Sequence, residues 1–323
     1  MRFLAALQDR YVGRRWSVAG ETQNWWTSPV LLRHIEHQIS DAAPGGVAGA
    51  LRAATGGVAL GRGLSIGCGS GAKEMLLLQH GCVESFDLYE LAEGPAAEAR
   101  AEAARLGLAD RVTVRVANVF DLAEPDSYDL VYWDHSLHHM YDVEAALAFS
   151  IRVLRPGGWL AVNEYTGPTR LQWTQAQADL ANAFLGHERA ALGPDTPPVR
   201  PGSLYRRLRL YLRDPSEAPQ SDLIEDSFLR LTGTPMKQLG GAMIHTAAPQ
   251  VIGACGPEGE VIARLIAWDE HARAKGENHF SFGLWQKPLS RRAADDTAAP
   301  DAEPDAGPDS GPDAAPAGSP MRR

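Results

Sequence analysis

The sequence predicts an α/β chain built on a doubly wound, mostly parallel sheet with a helical insertion after the fifth strand. Three observations predict it. Residues 63–74, GLSIGCGSGAKE, form a short apolar run closed by Gly67, Gly69 and Gly71. Asp87, in the run ESFDLYE, follows Gly67 by twenty positions. Downstream, apolar or alternating runs trade places with amphipathic stretches as far as HFSFGLWQ.

The first element is a buried strand that must stop, turn tightly and enter a helix. A cofactor lies on that turn only where no side chain holds it off, and glycine supplies both the turn and the clearance. A carboxylate about twenty residues on would end the second strand and accept hydrogen bonds from both ribose hydroxyls, so the pair indicates a nucleoside cofactor. Gly67, Gly69 and Ala72 also satisfy the dinucleotide pattern, so these residues leave nicotinamide and S-adenosylmethionine both open, beside a plain structural turn. PAAEARAEAARLG, opened by Pro95 and closed by Gly107, reads as a helix, and VTVRVAN (112–118) as the third strand. SYDLVYWDHSLHHM from Ser127 holds the fourth strand. The helical VEAALAFSIRVL, the turn Arg155 to Gly158 and the strand WLAVNEY follow it.

The order of these pieces, including the block DLV…LHHM…VLRPGGWL, resembles the class I S-adenosylmethionine-dependent methyltransferases over about residues 60–166. The resemblance implies that Gly67, Cys68, Gly69 and Gly71 lie under the methionine part of S-adenosyl-L-methionine. It also places Asp87, with Leu88 beside it, at the ribose, Asn118 and Val119 at the adenine, and Asp134 at the carboxyl edge of the fourth strand. Cys68 is read as packing in the loop. Two positions depart from the family: Ser65 stands where an acid often precedes the glycines, and Asn118 stands where an aspartate usually meets the adenine amino group. Asn118 keeps an accepting side-chain oxygen.

His138 and His139 follow the fourth strand and Glu164 ends the fifth, so neighbouring strand ends would bring an imidazole and a carboxylate to one rim. A carboxylate fixes the imidazole tautomer and stabilises its cation, which suits a general base. SLHHM, with an acid twenty-six residues after His138, is similar to the arrangement in sugar O-methyltransferases of natural-product pathways. His138 as base, His139 as base, and no histidine base all stay open. No carboxylate cluster calls for a metal, although Asp134 and Glu164 leave one conceivable.

Composition sets the outer limits. The chain has 323 residues, 44% of them hydrophobic, and a net charge of −9, which argues against a nucleic-acid partner. No apolar run is long enough to span a membrane, FLAAL is too short and poorly flanked for a signal peptide, and a cytoplasmic location is expected. Cys68, Cys82 and Cys255 are an odd set without metal-like spacing, so reduced thiols are expected. The expected divisions are an N-terminal helical lid segment (1–58), the cofactor-binding core (59–166), an insertion or lid (167–221), completion of the sheet (222–289) and a disordered Pro/Ala/Asp-rich tail (290–323). In the completing part, DLIEDSFLRLTG and GEVIARLIAWDEHARAKG read as helices, with strands near MKQLGGAMIH and in HFSFGLWQ, and the resemblance implies that these last two strands run antiparallel.

Acceptor clues come from Trp16, Trp25, Trp26, Tyr165 and Trp173, whose rings suit sugars or flat apolar molecules and equally suit ordinary packing. Arg206, Arg207, Arg209 and Arg213 could meet a phosphate or simply form a solvated helix face. The expected partner is a small-molecule or glycan hydroxyl, with homo-oligomerisation left open. The alternatives are a protein or carrier-bound acceptor, and an inactive cofactor-binding subunit.

Overall fold

The structure, a computed structural model, describes residues 24–122 and 125–289. Trp16 and the tail from Ser290 lie outside the described residues. Pro288 closes the first of two units in the chain, and Leu289 begins the second.

Among the described residues the strands β1 (Leu60–Ile66), β2 (Val83–Glu90), β3 (Val112–Val116), β4 (Tyr128–Asp134), β5 (Leu154–Tyr165), β6 (Lys237–Gly240) and β7 (Phe280–Gln286) form one sheet in the order β3-β2-β1-β4-β5-β7-β6. β1 to β5 pair in parallel, and β7 runs antiparallel to both β5 and β6. The order reverses between β1 and β4, the switch point at which open sheets of this kind hold ligands.

Alternation along β4 shows why both faces are covered. Leu130 and Tyr132 join one core, with Leu31, Ile35, Leu78, Phe86 and Leu88. Val131 and Trp133 join the other, with Leu64, Ile66, Leu147 and Val162. Each such fully buried aliphatic side chain contributes about 1.5–3 kcal/mol. The helices α1 (Pro29–Ile39), α2 (Gly46–Ala54), α3 (Ala72–Gln79), α4 (Glu93–Arg105) and α5 (Val143–Val153) precede or connect these strands. The residues after β5 fold as α6 (Gln175–His187), α7 (Arg189–Leu192), α8 (Leu204–Arg213) and α9 (Ile224–Thr232). Arg155 to Gly158 falls inside the span of β5, where the register with β4 shifts between Tyr128 and Leu130 and Gly157 takes φ +82°.

The strand expected near MKQLGGAMIH stops at Gly240. The following residues form α10 (Ala242–Cys255), packed beside α11 (Glu260–Ala274). α10 begins at Gly241 (φ +86°) without a side-chain cap of its own. Asp269 of α11 accepts from the N–H groups of Gly241 (2.7 Å), Met243 (2.9 Å) and Ile244 (3.3 Å), satisfying donors that a helix start leaves orphaned.

Candidate active site

At the end of β1 the chain turns through Gly67, Gly69 and Gly71 at φ +69°, +54° and +72°, the left-handed region that favours glycine. A Cβ on Gly67 would stand 2.8 Å from Cβ of Ser136, whereas one on Gly69 would meet nothing within 4 Å, so the turn is closed on one side and open on the other. Cys68 is half-buried, and burial raises its thiol pKa, with help from Glu74 and Glu90.

Asp87 does not end its strand. β2 continues to Glu90, and the Asp87 carboxylate is buried, with Oδ2 accepting from Arg62 (2.5 Å) and from the Tyr128 hydroxyl (2.8 Å). Leu88 is fully buried in the core and offers no surface to a ligand. The strand-end carboxylate is Glu90. Its Oε2 accepts from the Gly69 N–H (3.0 Å), and its Oε1 from the N–H groups of Leu91 (2.8 Å) and Ala92 (3.0 Å), joining the glycine turn to the start of α4. Asn118 uses its side-chain oxygen to cap the turn Val119–Asp121 by accepting from Phe120 N–H (3.0 Å), and Val119 is buried against the sheet.

Ser65, buried at the end of β1, donates to Glu74 of α3 at 2.5 Å. Glu74 therefore brings a carboxyl to the space next to a position that itself lacks one. Burial raises its pKa to about 7, and its second oxygen has no hydrogen-bond partner among the described residues.

The other strand ends carry an acid–base pair. Nδ1 of His138 lies 2.6 Å from Oε2 of Glu164. Glu164, fully buried, also accepts from the N–H groups of Ser136 (2.6 Å), Leu137 and Tyr165 (3.1 Å). Burial opposes charge on the imidazole, but Glu164, with smaller contributions from Glu217 and Asp214, outweighs this and holds His138 above its ordinary pKa. Burial likewise opposes charge on Glu164, and His138 outweighs it, holding that carboxyl below its ordinary range. The His139 ring lies against His138 with centroids 4.2 Å apart and planes tilted by 40°, and its Nδ1 donates to the Ser216 carbonyl (3.1 Å); burial and the neighbouring His138 push its pKa down. Asp134 accepts from the Tyr132 hydroxyl (2.7 Å) and the Asn163 amide (2.9 Å), and His135 beside it adopts φ +51°.

His138, His139, Tyr165, Trp25 and Trp26 line a cavity of about 820 Å³, with Lys73, Glu36, His245, Asp214 and Glu217 among the other walls. Trp25 is buried against Phe280 and His135, while Trp26 is 49% exposed at the rim. Trp173 is not a wall: it is buried and stacks on His279 at 5.2 Å, so it packs the interior. Glu217, whose Oε1 lies 4.0 Å from His138 Nε2, and Glu90 were not singled out by the sequence. Glu90 had a signal, since the last strand residue before the helix opening at Glu93 is the one that reaches the turn. Glu217 had none, because it arrives from the insertion. Among the described residues, no group of three or more His, Cys, Asp or Glu could hold a metal ion, and no helix is long and apolar enough to cross a membrane.

The sheet order, the glycine turn and a carboxylate at the end of β2 match the arrangement that the resemblance to class I methyltransferases implies, with Glu90 rather than Asp87 at the strand end. A family model described as a methyltransferase domain matches residues 64–162, and S-adenosylmethionine is the cofactor of such domains. The chain is 34% identical over 103 residues to 27-O-demethylrifamycin SV methyltransferase of Amycolatopsis mediterranei, covering 32% of this chain and 38% of that protein. It is 29% identical over 119 residues to an uncharacterized protein of Synechococcus, covering 36% and 28%. The chain thus spans well under half the length of these curated relatives. Similar solved structures include phosphoethanolamine N-methyltransferase 2 of Haemonchus contortus (13% identity, 72% of this chain and 50% of that one, TM-score 0.46). The cyclase SpnF is another (16% identity, 76% and 80%, TM-score 0.42).

Proposed function

We propose that the whole chain is an S-adenosylmethionine-dependent methyltransferase that methylates a hydroxyl of a small molecule, a sugar or a glycan precursor. The observation that carries this reading is the buried His138–Glu164 pair at 2.6 Å, in the wall of a cavity large enough for such an acceptor. The name of the rifamycin relative, an O-demethyl substrate, points the same way for the matched third of the chain.

The glycine turn fits the cofactor, since Gly69 leaves its outer side open and Glu90 stands beside it with a partly exposed carboxylate. In this reading Gly67, Gly69 and Gly71 hold the methionine part and Glu90 takes the ribose hydroxyls in place of Asp87. Asn118 and Leu91 flank the adenine end. When bound, S-adenosylmethionine supplies an electrophilic methyl group, so the protein's part is to align the acceptor, exclude water and remove one proton. His138 donates Nδ1–H to Glu164, which leaves the lone pair of Nε2 to accept the hydroxyl proton; the buried carboxylate then stabilises the imidazolium. Tyr165 is a wall rather than a base: its hydroxyl donates to the Pro168 carbonyl at 2.9 Å, and burial drives its pKa well above the ordinary value.

Two measurements test this. Calorimetric titration with S-adenosylhomocysteine should show micromolar binding that Glu90→Ala weakens. Transfer of labelled methyl to a panel of hydroxyl acceptors should be lost in His138→Ala while that binding persists. Absence of binding by the folded wild type sinks the cofactor assignment, and undiminished turnover in His138→Ala sinks the base.

A further inference from the structure

Helix α8 is built inside out. Leu204, Tyr205, Leu208 and Tyr211 share one side of it, the spacing that ordinarily marks the face packed on a core. Here that side is largely open: the four residues are 83%, 72%, 54% and 50% exposed, no residue of the helix is buried, and Tyr211 among the four has its ring against the Arg170 guanidinium, 5.5 Å from its centroid. The polar side faces the protein. The Arg206 guanidinium donates to the carbonyls of Arg200 and Pro201, and Arg213 joins Leu210 in the cavity wall. Arg207 and Arg209 are exposed and flank the apolar face on either side. The four arginines read from the sequence as one cluster are therefore divided between two sides.

We propose that α8 docks the protein reversibly on an anionic lipid surface. Leucine and tyrosine side chains would enter the interface and Arg207 and Arg209 would meet lipid phosphates. A short helix with an apolar, aromatic-bearing face between arginines has the chemistry of an interfacial helix, and its binding needs apolar contact and anionic charge together. The rest of the chain is acidic, with a net charge of −9 overall, so attraction to an anionic surface must be local to this face. The helix also bounds the cavity through Leu210 and Arg213, which sets the docked face next to the cavity rather than across the molecule. Resting on the methyltransferase reading, the consequence is that an acceptor dissolved in or anchored to the lipid reaches His138 from the membrane side.

The test is co-sedimentation of the full chain with vesicles of phosphatidylcholine alone and of phosphatidylcholine mixed with phosphatidylglycerol. Measurements cover wild type, Leu204→Asp with Leu208→Asp, and Arg207→Glu with Arg209→Glu. Circular dichroism and S-adenosylhomocysteine binding check that each variant is folded. The expected result is sedimentation with the mixed vesicles only, weakened by salt and reduced about tenfold or more in each pair of substitutions. Wild type that stays in solution, or that sediments equally with both vesicles, overturns the proposal. So does a dimer abolished by Leu204→Asp with Leu208→Asp in a protein that ignores vesicles, which would make the face a contact between copies. Vesicle binding without nucleoside binding would instead overturn the cofactor assignment and leave the docking face standing.

Discussion

The two ends of the candidate site are built from different materials. The cofactor end is mostly backbone: three glycines at positive φ and a carboxylate, Glu90, whose oxygens are held by main-chain N–H groups. The acceptor end is buried side chains, with Glu164 fully enclosed under His138 and four donors directed at it. A surface of N–H groups and small residues accepts a ligand without committing charge to the interior. A buried charge pair is organised in advance for proton transfer, and losing either partner leaves the other exposed to the full cost of burial. The first end should therefore lose affinity when altered, and the second should lose rate and stability.

The largest expected effect is at His138. Replacing it with alanine should lower turnover by about 10²–10⁴, the span typical of general base catalysis, and leave S-adenosylhomocysteine affinity unchanged in calorimetry. Parallel losses of rate and affinity would erase the division between the two ends. Glu164→Ala should cost about 3–5 kcal/mol in urea denaturation because it strands buried donors and the imidazole. At the other end, Glu90→Ala should weaken S-adenosylhomocysteine by about ten- to a hundredfold, through lost hydrogen bonds to a charged group. Asp87→Ala should destabilise the fold through Arg62 and Tyr128 while changing that affinity much less. Equal affinity losses in the two variants would return the ribose to Asp87.

The smallest effect is a displacement along the pH axis. His138 titrates above its unfolded value of 6.5, so turnover by its neutral form should rise with pH through a midpoint above 6.5. The stability that the same pairing contributes is complete below 6.5 and fades as pH rises through the raised folded value. Glu164 contributes in the opposite sense, above its unfolded value of 4.5, and that part is lost as pH falls through its lowered folded value. A pH–rate profile of wild type beside urea midpoints across the same range checks both signs. A rate midpoint at or below 6.5 would remove Glu164 from the base's environment.

The same contrast explains what could be read in advance. The glycine turn and the His138–Glu164 pairing were legible because each depends on a local pattern or on the ends of adjacent strands. Which acid ends β2 was not, since ESFDLYE offers Asp87 and Glu90 in one strand-like run. An odd separation along a strand sends them to opposite faces, so a slip of three residues exchanges a carboxylate buried against Arg62 and Tyr128 for one that reaches the glycine turn. α10 was hidden for a different reason. Its capping acid, Asp269, comes from the next helix, and Pro249 interrupts its middle, so neither a start signal nor a clean periodicity is present. Trp173 read as an acceptor platform because burial against His279 depends on how the insertion folds back.

Ser136 lies between the two ends. Its hydroxyl donates to the carbonyl of Ile66 at 2.6 Å, just ahead of the glycines, and its own N–H is held by Glu164. In the proposed reading, one residue thus acts as a gauge block, setting the interval between the glycine turn that would hold the methyl donor and the His138–Glu164 pair. On that reading, tolerance for acceptors of different shape would come from the far walls of the cavity rather than from the span across Ser136.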